Sequence, residues 1–62
     1  MLKKARLINI LDLVNRNGII TSTSLANTLG VSDMTIRRDL DELEKNSRLI
    51  RIHGGADSLS YN

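Results

Sequence analysis

Hydroxyl and guanidinium side chains lie close together in one short stretch of the sequence. Ser32 and Thr35 carry hydroxyl groups, and Arg37 and Arg38 carry guanidinium groups. Such groups hydrogen-bond to phosphate oxygens, and an arginine can also bind O6 and N7 of a guanine through two parallel hydrogen bonds. Met34 is either a contact to a thymine methyl group or an ordinary exposed methionine. The stretch is a candidate contact with nucleic acid. The alternative is that both arginines are ordinary solvated residues, and the sequence does not decide which arginine would contact a base.

A second group of candidate contacts lies toward the C-terminus. Arg48 and Arg51 flank an apolar segment and are either contacts to a DNA backbone or minor groove or solvated strand residues. His53 has no acid-base partner nearby in the sequence, so we expect it to cap the following turn or to contact a phosphate. Gly54 and Gly55 are typical of a tight turn between strands, where both can adopt positive φ, and we count them among the DNA contacts. Neither a Lys-Ser/Thr pair nor a helix follows, which disfavours a nucleotide-binding loop.

The composition excludes several kinds of chemistry. The 62 residues include no cysteine and one histidine, so the chain offers neither a disulfide nor a structural metal site. We find no carboxylate pair, activated nucleophile or cofactor loop, and therefore expect no enzymatic activity and no cofactor. Tyr61 is the only aromatic residue, which disfavours a base-stacking platform. The net charge of +2 is compatible with nucleic acid, and the lack of a long apolar run predicts a cytoplasmic protein without a membrane segment.

Helices must position the first group of contacts. Leu7, Ile8, Leu11 and Val14 recur at spacings of three and four, which predicts a first helix with these residues on its buried face. Gly18 ends this helix, because glycine adopts the left-handed conformation without steric cost. The basic residues at its start are either contacts to a DNA backbone or a solvated charge run: Lys3, Lys4 and Arg6.

A short second helix is predicted next. It follows a brief extended segment at residues 19–20 and is capped by Thr21 or Ser22, whose hydroxyls can accept hydrogen bonds from the first free amides. Gly30 ends it. The predicted buried residues are Leu25, Ala26 and Leu29.

The third helix is predicted over residues 33–46, with Ser32 as its N-cap. Only Gly30 and Val31 separate it from the second helix, and so tight a turn requires a large crossing angle, as in a helix-turn-helix. Its outward surface turns acidic beyond Arg38, so only its N-terminal half can approach a phosphate backbone. The predicted buried residues are Ile36, Leu40 and Leu43.

Asp39 is the exception on that helix. A helical wheel places it near the edge of the core, about 60° from Ile36, where it would not face a phosphate. We therefore expect Asp39 to be a structural partner, one that orients an arginine.

Residues 48–59 are predicted to form a wing. Basic and apolar residues alternate imperfectly over residues 48–53, which indicates a strand with Leu49 and Ile52 directed inward. Residues 56–59 would supply a short return strand after the glycine turn.

The predicted fold class is mainly α with a small β-hairpin, a winged helix-turn-helix of three helices plus a wing. A chain of this length fits one domain, which we place over residues 1–57. Residues 58–62 are polar and are expected to form a flexible tail.

The chain resembles the DNA-binding domain of the DeoR family of bacterial repressors. The resemblance extends from about Arg6 to Ala56, and this sequence departs from the family pattern at Ser47, where glycine is usual, and at Arg48, where an apolar residue is usual. We expect Asn46 to take the left-handed conformation instead. The residues that carry the resemblance are Val31-Ser32-x-x-Thr35-Ile36-Arg37-Arg38-Asp39-Leu40, then Leu43, Leu49, Arg51, His53, Gly54, Gly55 and Ala56.

The resemblance implies a function and a set of partners. The partner would be a double-stranded DNA operator, read by the third helix in the major groove, with the wing on the flanking backbone. Family members are longer and bind a sugar phosphate or related metabolite in a C-terminal domain, for which this chain has no room. We expect the isolated domain to be a monomer and the full-length repressor to be a homo-oligomer. The alternatives are a winged-helix protein-interaction module, with the acidic stretch as its docking face, and a structured-RNA binder.

Overall fold

The computed structural model describes residues 2–59 and contains three helices and one small sheet. Three helices with a hairpin confirm the predicted winged helix-turn-helix fold, and a short strand between the first two helices extends the hairpin to three strands. The elements are α1 (Lys3–Asn17), β1 (Ile19–Thr21), α2 (Ser22–Leu29), α3 (Asp33–Lys45), β2 (Ile50–Ile52) and β3 (Gly55–Asp57).

Helix α1 differs from the predicted buried face at two positions: Ile10, which was not predicted, is buried, and Ile8, which was predicted, is exposed. Ile10 and Val14 are fully buried, and Leu7 and Leu11 pack against them. The prediction that Ile8 is buried is wrong, since its side chain is 59% exposed. At about 100° per residue, Ile8 is turned about 200° from Ile10, which lies at the centre of the stripe.

The N-termini of α2 and α3 have the predicted caps. The Thr21 hydroxyl accepts a hydrogen bond from the Ser24 amide at 3.0 Å, and the Ser32 hydroxyl accepts one from the Thr35 amide at 3.1 Å. Gly30 ends α2 in the left-handed conformation. The predicted core of these helices is confirmed, with Leu29 at its half-buried edge. The buried members are Leu25, Ala26, Ile36, Leu40 and Leu43.

The exit from α3 differs from the prediction. Ser47, not Asn46, takes the left-handed conformation, with φ of 59°, whereas Asn46 has φ of −90°. The Ser47 amide donates to the Glu44 carbonyl at 2.9 Å and the Arg48 amide donates to the Leu43 carbonyl at 2.8 Å. This paired pattern requires a left-handed residue immediately after the helix cap, and that residue is Ser47.

The sheet has the strand order β1-β3-β2, with both pairs antiparallel. Strand β3 is therefore central and pairs Gly55 with Thr21 on one side and with Ile52 on the other. Leu49 is buried beneath the wing as predicted, whereas Ile52 is half-buried. The return strand begins at Gly55 and ends at Asp57, earlier than predicted, because the turn uses one glycine only.

The turn between β2 and β3 consists of His53 and Gly54. Of the two glycines that could adopt positive φ, only Gly54 does, at 77°. Gly55 is buried in the sheet, and a Cβ atom there would overlap the backbone carbonyl oxygen of Ile20 and lie 3.0 Å from the Cα atom of Thr21. Glycine at position 55 is thus required by the close approach of β1.

The folded domain extends past residue 57, where the sequence predicts that it ends. The Ser58 side chain is 3% exposed, and its amide donates to the Gly18 carbonyl at 2.7 Å. Its hydroxyl donates to the side-chain oxygen of Asn15 at 3.1 Å. Ser58 therefore belongs to the folded domain and not to a tail. The rest of the predicted tail after Leu59, including Tyr61, lies outside the described residues.

Candidate nucleic-acid interface

Helix α3 presents its N-terminal half outward between two supporting flanks. One flank faces the first turn of α1 and the other faces strand β2, as the ion pairs described below establish. The buried stripe of Ile36, Leu40 and Leu43 fixes the rotation of the helix between them. The outward side chains are therefore held in place by contacts on three sides of the helix.

The hydroxyl groups at the start of α3 hold the helix end. The Ser32 and Thr35 hydroxyls are 2.9 Å apart and hydrogen-bonded, in addition to the cap between Ser32 and the Thr35 amide. Ser32 is exposed and Thr35 is half-buried, so both remain within reach of a phosphate oxygen. Met34 beside them is 59% exposed. The three side chains form an accessible surface at the helix N-terminus.

The two arginines of α3 differ in their surroundings. Nη2 of Arg37 lies 3.3 Å from a carboxylate oxygen of Asp33, and both side chains are largely exposed. Such surface pairs contribute little stability, so Arg37 can exchange this partner for another at small cost. Arg38 is exposed and makes no ion pair or hydrogen bond with any residue in the range 2–59. Both guanidinium groups are thus available for a ligand.

The flank facing α1 is held by a buried ion pair. Nε and Nη2 of Arg6 both donate to the Asp39 carboxylate, the second at 3.0 Å, and the Asp39 side chain is 3% exposed. The prediction that Asp39 is a structural partner of an arginine is confirmed. The hydrogen bonds that Arg6 donates to the Asp39 carboxylate, aided by the charge of that carboxylate, raise the pKa of Arg6. The stability that comes from the raised pKa of Arg6 is therefore fully present at neutral pH and is lost as the pH rises through that raised pKa.

A second ion pair on this flank is exposed. Nζ of Lys3 lies 2.7 Å from a carboxylate oxygen of Glu42. Lys3 and Arg6 thus both form ion pairs with residues of α3. Lys4, the third basic residue of this segment, is exposed. Between α1 and α3 there is a cleft of about 330 Å³, open to the surface beside the outward face of α3. Its lining residues are Lys3, Arg6, Thr35, Arg38 and Asp39.

On the flank facing the wing, α3 binds Arg51 of strand β2. Nη1 of Arg51 donates to the Asp41 carboxylate and to the Arg37 carbonyl oxygen, the latter at 3.4 Å. The Arg51 amide donates to a carboxylate oxygen of Glu44 at 3.0 Å. The predicted DNA contact by Arg51 stays a prediction, and in this structure its guanidinium ties the wing to α3.

The predicted wing contacts separate into exposed and buried positions. His53, Gly54 and Arg48 are exposed, and His53 makes no hydrogen bond with the described residues, so the expectation that it caps the turn is wrong. The Gly54 carbonyl accepts a hydrogen bond from the Ser22 amide at 2.9 Å, which anchors the tip to the start of α2. Gly55 is buried in this structure, and its DNA contact stays a prediction.

The sequence did not predict the cleft, although it singled out most of the residues that line it. Thr35, Arg38 and Asp39 were singled out as residues of α3, but the partner of Asp39 lies 33 positions away in the chain, at Arg6. No local spacing signals such a contact. The one available signal was the position of a carboxylate at the core edge, which requires a cation nearby.

Neither a metal-ligating cluster nor a membrane-spanning helix is found in the part of the chain that the structure describes. Residues 2–59 contain no group of three or more metal-ligating side chains. None of the described helices combines the length and apolar character needed to cross a membrane.

Comparison with known proteins gives one family and a set of close relatives. The family described as DeoR-like helix-turn-helix domain matches residues 6–62, which confirms the resemblance. A lactose phosphotransferase system repressor of Lactococcus lactis subsp. lactis is 52% identical over 60 residues, covering 97% of this chain and 24% of the relative. Repressors of the same name from Streptococcus mutans serotype c and Staphylococcus aureus (strain NCTC 8325 / PS 47) are 53% and 52% identical, over 94% and 97% of this chain and 23% and 24% of those proteins. The chain thus spans about a quarter of these relatives, and no solved structure matches it significantly.

Proposed function

The chain belongs to the DeoR-like helix-turn-helix family, and from that premise we propose that it is the operator-binding domain of a transcriptional repressor. Helix α3 enters the major groove of double-stranded DNA with its N-terminal half, and the wing approaches the flanking backbone. The observation that carries the proposal is the outward face of α3. Its first two turns present two available guanidinium groups, whereas the carboxylates farther along α3 bind cations of α1 and the wing.

The distribution of charge along α3 supports this orientation. Asp39 and Glu42 pair with cations of α1, and Asp41 pairs with the guanidinium of Arg51 in the wing. These contacts partly neutralise the acidic half of the helix, which would otherwise repel phosphates. Affinity then comes largely from phosphate neutralisation and falls steeply with salt, and a base-reading arginine adds discrimination of about 1 to 3 kcal/mol.

The regulated genes and the effector belong to the whole protein. The similar proteins are named lactose phosphotransferase system repressors, which favours genes of sugar uptake or use as the targets. We propose that a sugar phosphate or related metabolite acts through a region outside this chain. The isolated domain is a monomer with weak affinity, and the full-length protein gains affinity by joining two or more domains on repeated half-sites. We assign the domain no enzymatic activity.

A titration of the labelled chain with a generic DNA duplex, followed by heteronuclear NMR, tests the proposal. We expect amide shifts concentrated at residues 32–38 and at the exposed wing tip, His53 and Gly54, and we expect them to fade as salt is raised. A structured RNA hairpin of equal length serves as the competitor. Shifts confined to the wing-side acidic residues, or none at low salt, would instead favour a protein-interaction module, and preference for the hairpin would favour an RNA-binding domain.

A further inference from the structure

We infer that the cleft between α1 and α3 binds one phosphate of the DNA backbone, and that Arg38 is its principal ligand, which leaves Arg37 as the arginine that reads a base. The inference rests on the proposed function and deepens it, because the sequence did not distinguish the two arginines. It follows from where each guanidinium lies and from which charges surround it.

Arg37 and Arg38 leave α3 toward different surroundings. Arg38 starts from the outward face, and its side chain lines the cleft beside Lys3 and Arg6. Arg37 instead extends back toward the helix N-terminus, where its guanidinium meets Asp33. The N-terminal residues of a recognition helix contact base edges, and Arg37 extends toward that end whereas Arg38 lines the cleft beside α1. Arg37 is thus placed for base contact and Arg38 for backbone contact.

The charges of the cleft favour a single anion. Three cations and one carboxylate line it, and the carboxylate, on Asp39, is bound by two N–H groups of Arg6. A guanidinium has five N–H donors, so Arg6 retains donors that Asp39 does not use. Lys3 is bound to the exposed Glu42 carboxylate and can release it cheaply, while Arg38 has no partner in the range 2–59.

The Thr35 hydroxyl completes the site on the α3 side. It lines the same cleft and is oriented by its hydrogen bond with the Ser32 hydroxyl. A hydroxyl beside guanidinium groups is a common partner for a phosphate oxygen and does not distinguish bases. The cleft therefore positions the domain on the duplex and contributes the same affinity whatever the sequence.

Equilibrium binding of four variants tests the inference. A duplex selected by the unsubstituted chain from a random pool and a scrambled duplex of the same length are titrated at several salt concentrations. The variants are Arg38→Ala, Arg38→Lys, Arg37→Ala and Arg16→Ala. Arg16 is the matched control, since it is an exposed arginine near the opposite end of α1, paired with Asp12.

We expect Arg38→Ala to weaken binding to both duplexes by the same factor, roughly tenfold at low salt. The slope of log affinity against log salt should decrease in magnitude by about 0.9, the value for one phosphate contact. Arg38→Lys should keep most of the slope, because a phosphate accepts an ammonium group whereas bidentate guanine contact requires the guanidinium fork. Arg37→Ala should weaken the selected duplex far more than the scrambled one, and Arg16→Ala should change neither.

Two results would overturn the inference while leaving the proposed function intact. One is a loss of discrimination in Arg38→Ala with an unchanged salt slope, which would make Arg38 the base reader. The other is unchanged binding by Arg38→Ala to both duplexes. Failure of the unsubstituted chain to bind any duplex at low salt would overturn the proposed function, and the inference with it.

Discussion

The two flanks of α3 are both joined to the rest of the domain by an arginine and an aspartate, but in different environments. On the α1 flank, the side chains of Arg6 and Asp39 are 15% and 3% exposed. On the wing flank, those of Arg51 and Asp41 are 24% and 70% exposed. The first pair is largely shielded from water and the second is open to it, so similar chemistry fixes one flank firmly and the other weakly.

The backbone adds to this difference. The α1 flank involves a regular helix, whereas the wing flank is reached through Ser47 in the left-handed conformation. The turn from α2 to α3 uses the same conformation at Gly30, where it costs little, and Val31 then donates from its amide to the Ala26 carbonyl at 3.1 Å. The wing is therefore the part of the domain that is less firmly held to α3.

Replacement of Asp39 by alanine should have the largest effect. It leaves the Arg6 guanidinium without its carboxylate, so we expect the folding equilibrium constant to fall about a hundredfold. Urea unfolding followed by circular dichroism measures this, with Asp41→Ala on the wing flank as the matched control. Equal losses in the two variants would contradict the difference between the flanks.

Replacement of Gly55 by alanine tests how the sheet holds the wing. The new methyl group would overlap the Ile20 carbonyl and force β1 and β3 apart, which should lower the free energy of unfolding by about 2 kcal/mol. Gly54→Ala is the control, because no atom lies within 4 Å of a Cβ there and only the positive φ opposes it. Thermal unfolding should rank Gly55→Ala as the less stable variant, and the opposite order would show that packing against β1 is not the constraint.

Replacement of Ser47 by glycine should strengthen the weaker flank. Glycine removes the steric cost of the left-handed conformation, so we expect a gain of up to about 1 kcal/mol in the free energy of unfolding. Asn46→Gly, one position earlier at negative φ, should bring no gain. Denaturant midpoints measure both, and a gain at position 46 instead of position 47 would refute this assignment of the turn.

Replacement of Arg51 by alanine should have the smallest effect on stability. The Asp41 partner is exposed, so the loss should be below about 1 kcal/mol. Faster amide hydrogen exchange in β2 should accompany it, because the side-chain contact between the wing and α3 is lost. The hydrogen bond from the backbone amide of residue 51 to Glu44 remains. A loss as large as that of Asp39→Ala would mean that exposure does not explain the difference between the two flanks.

The helices and their caps could be predicted from local signals. Thr21 and Ser32 cap their helices, and Ile36, Leu40 and Leu43 occupy one face, because capping and burial depend on neighbours three or four residues apart. Ile8 was misplaced since its spacing to Leu11 is compatible with a stripe whose centre lies elsewhere. The candidate contacts on α3 proved accessible for the same local reason.

The wing contacts were less predictable. Gly55 was assigned to the surface because two adjacent glycines indicate a turn, whereas its burial depends on β1, more than thirty residues earlier in the chain. Arg51 was assigned as a DNA contact from its position on a strand, but its guanidinium is bound to Asp41 and the Arg37 carbonyl. In both cases the deciding neighbour is distant in sequence.

The helix-turn-helix follows from the sequence alone, because periodicity, caps and a two-residue turn are local properties of the chain. The sequence alone determined this element. It also determined which side chains are chemically able to contact DNA. Which of those side chains are exposed and which are bound to other parts of the domain depends on the tertiary fold. The packing of α1 against α3 joins Arg6 to Asp39 and brings Lys3 and Arg38 to one cleft, and the sheet buries Gly55. These contacts depend on how whole elements pack, which no short window of sequence contains.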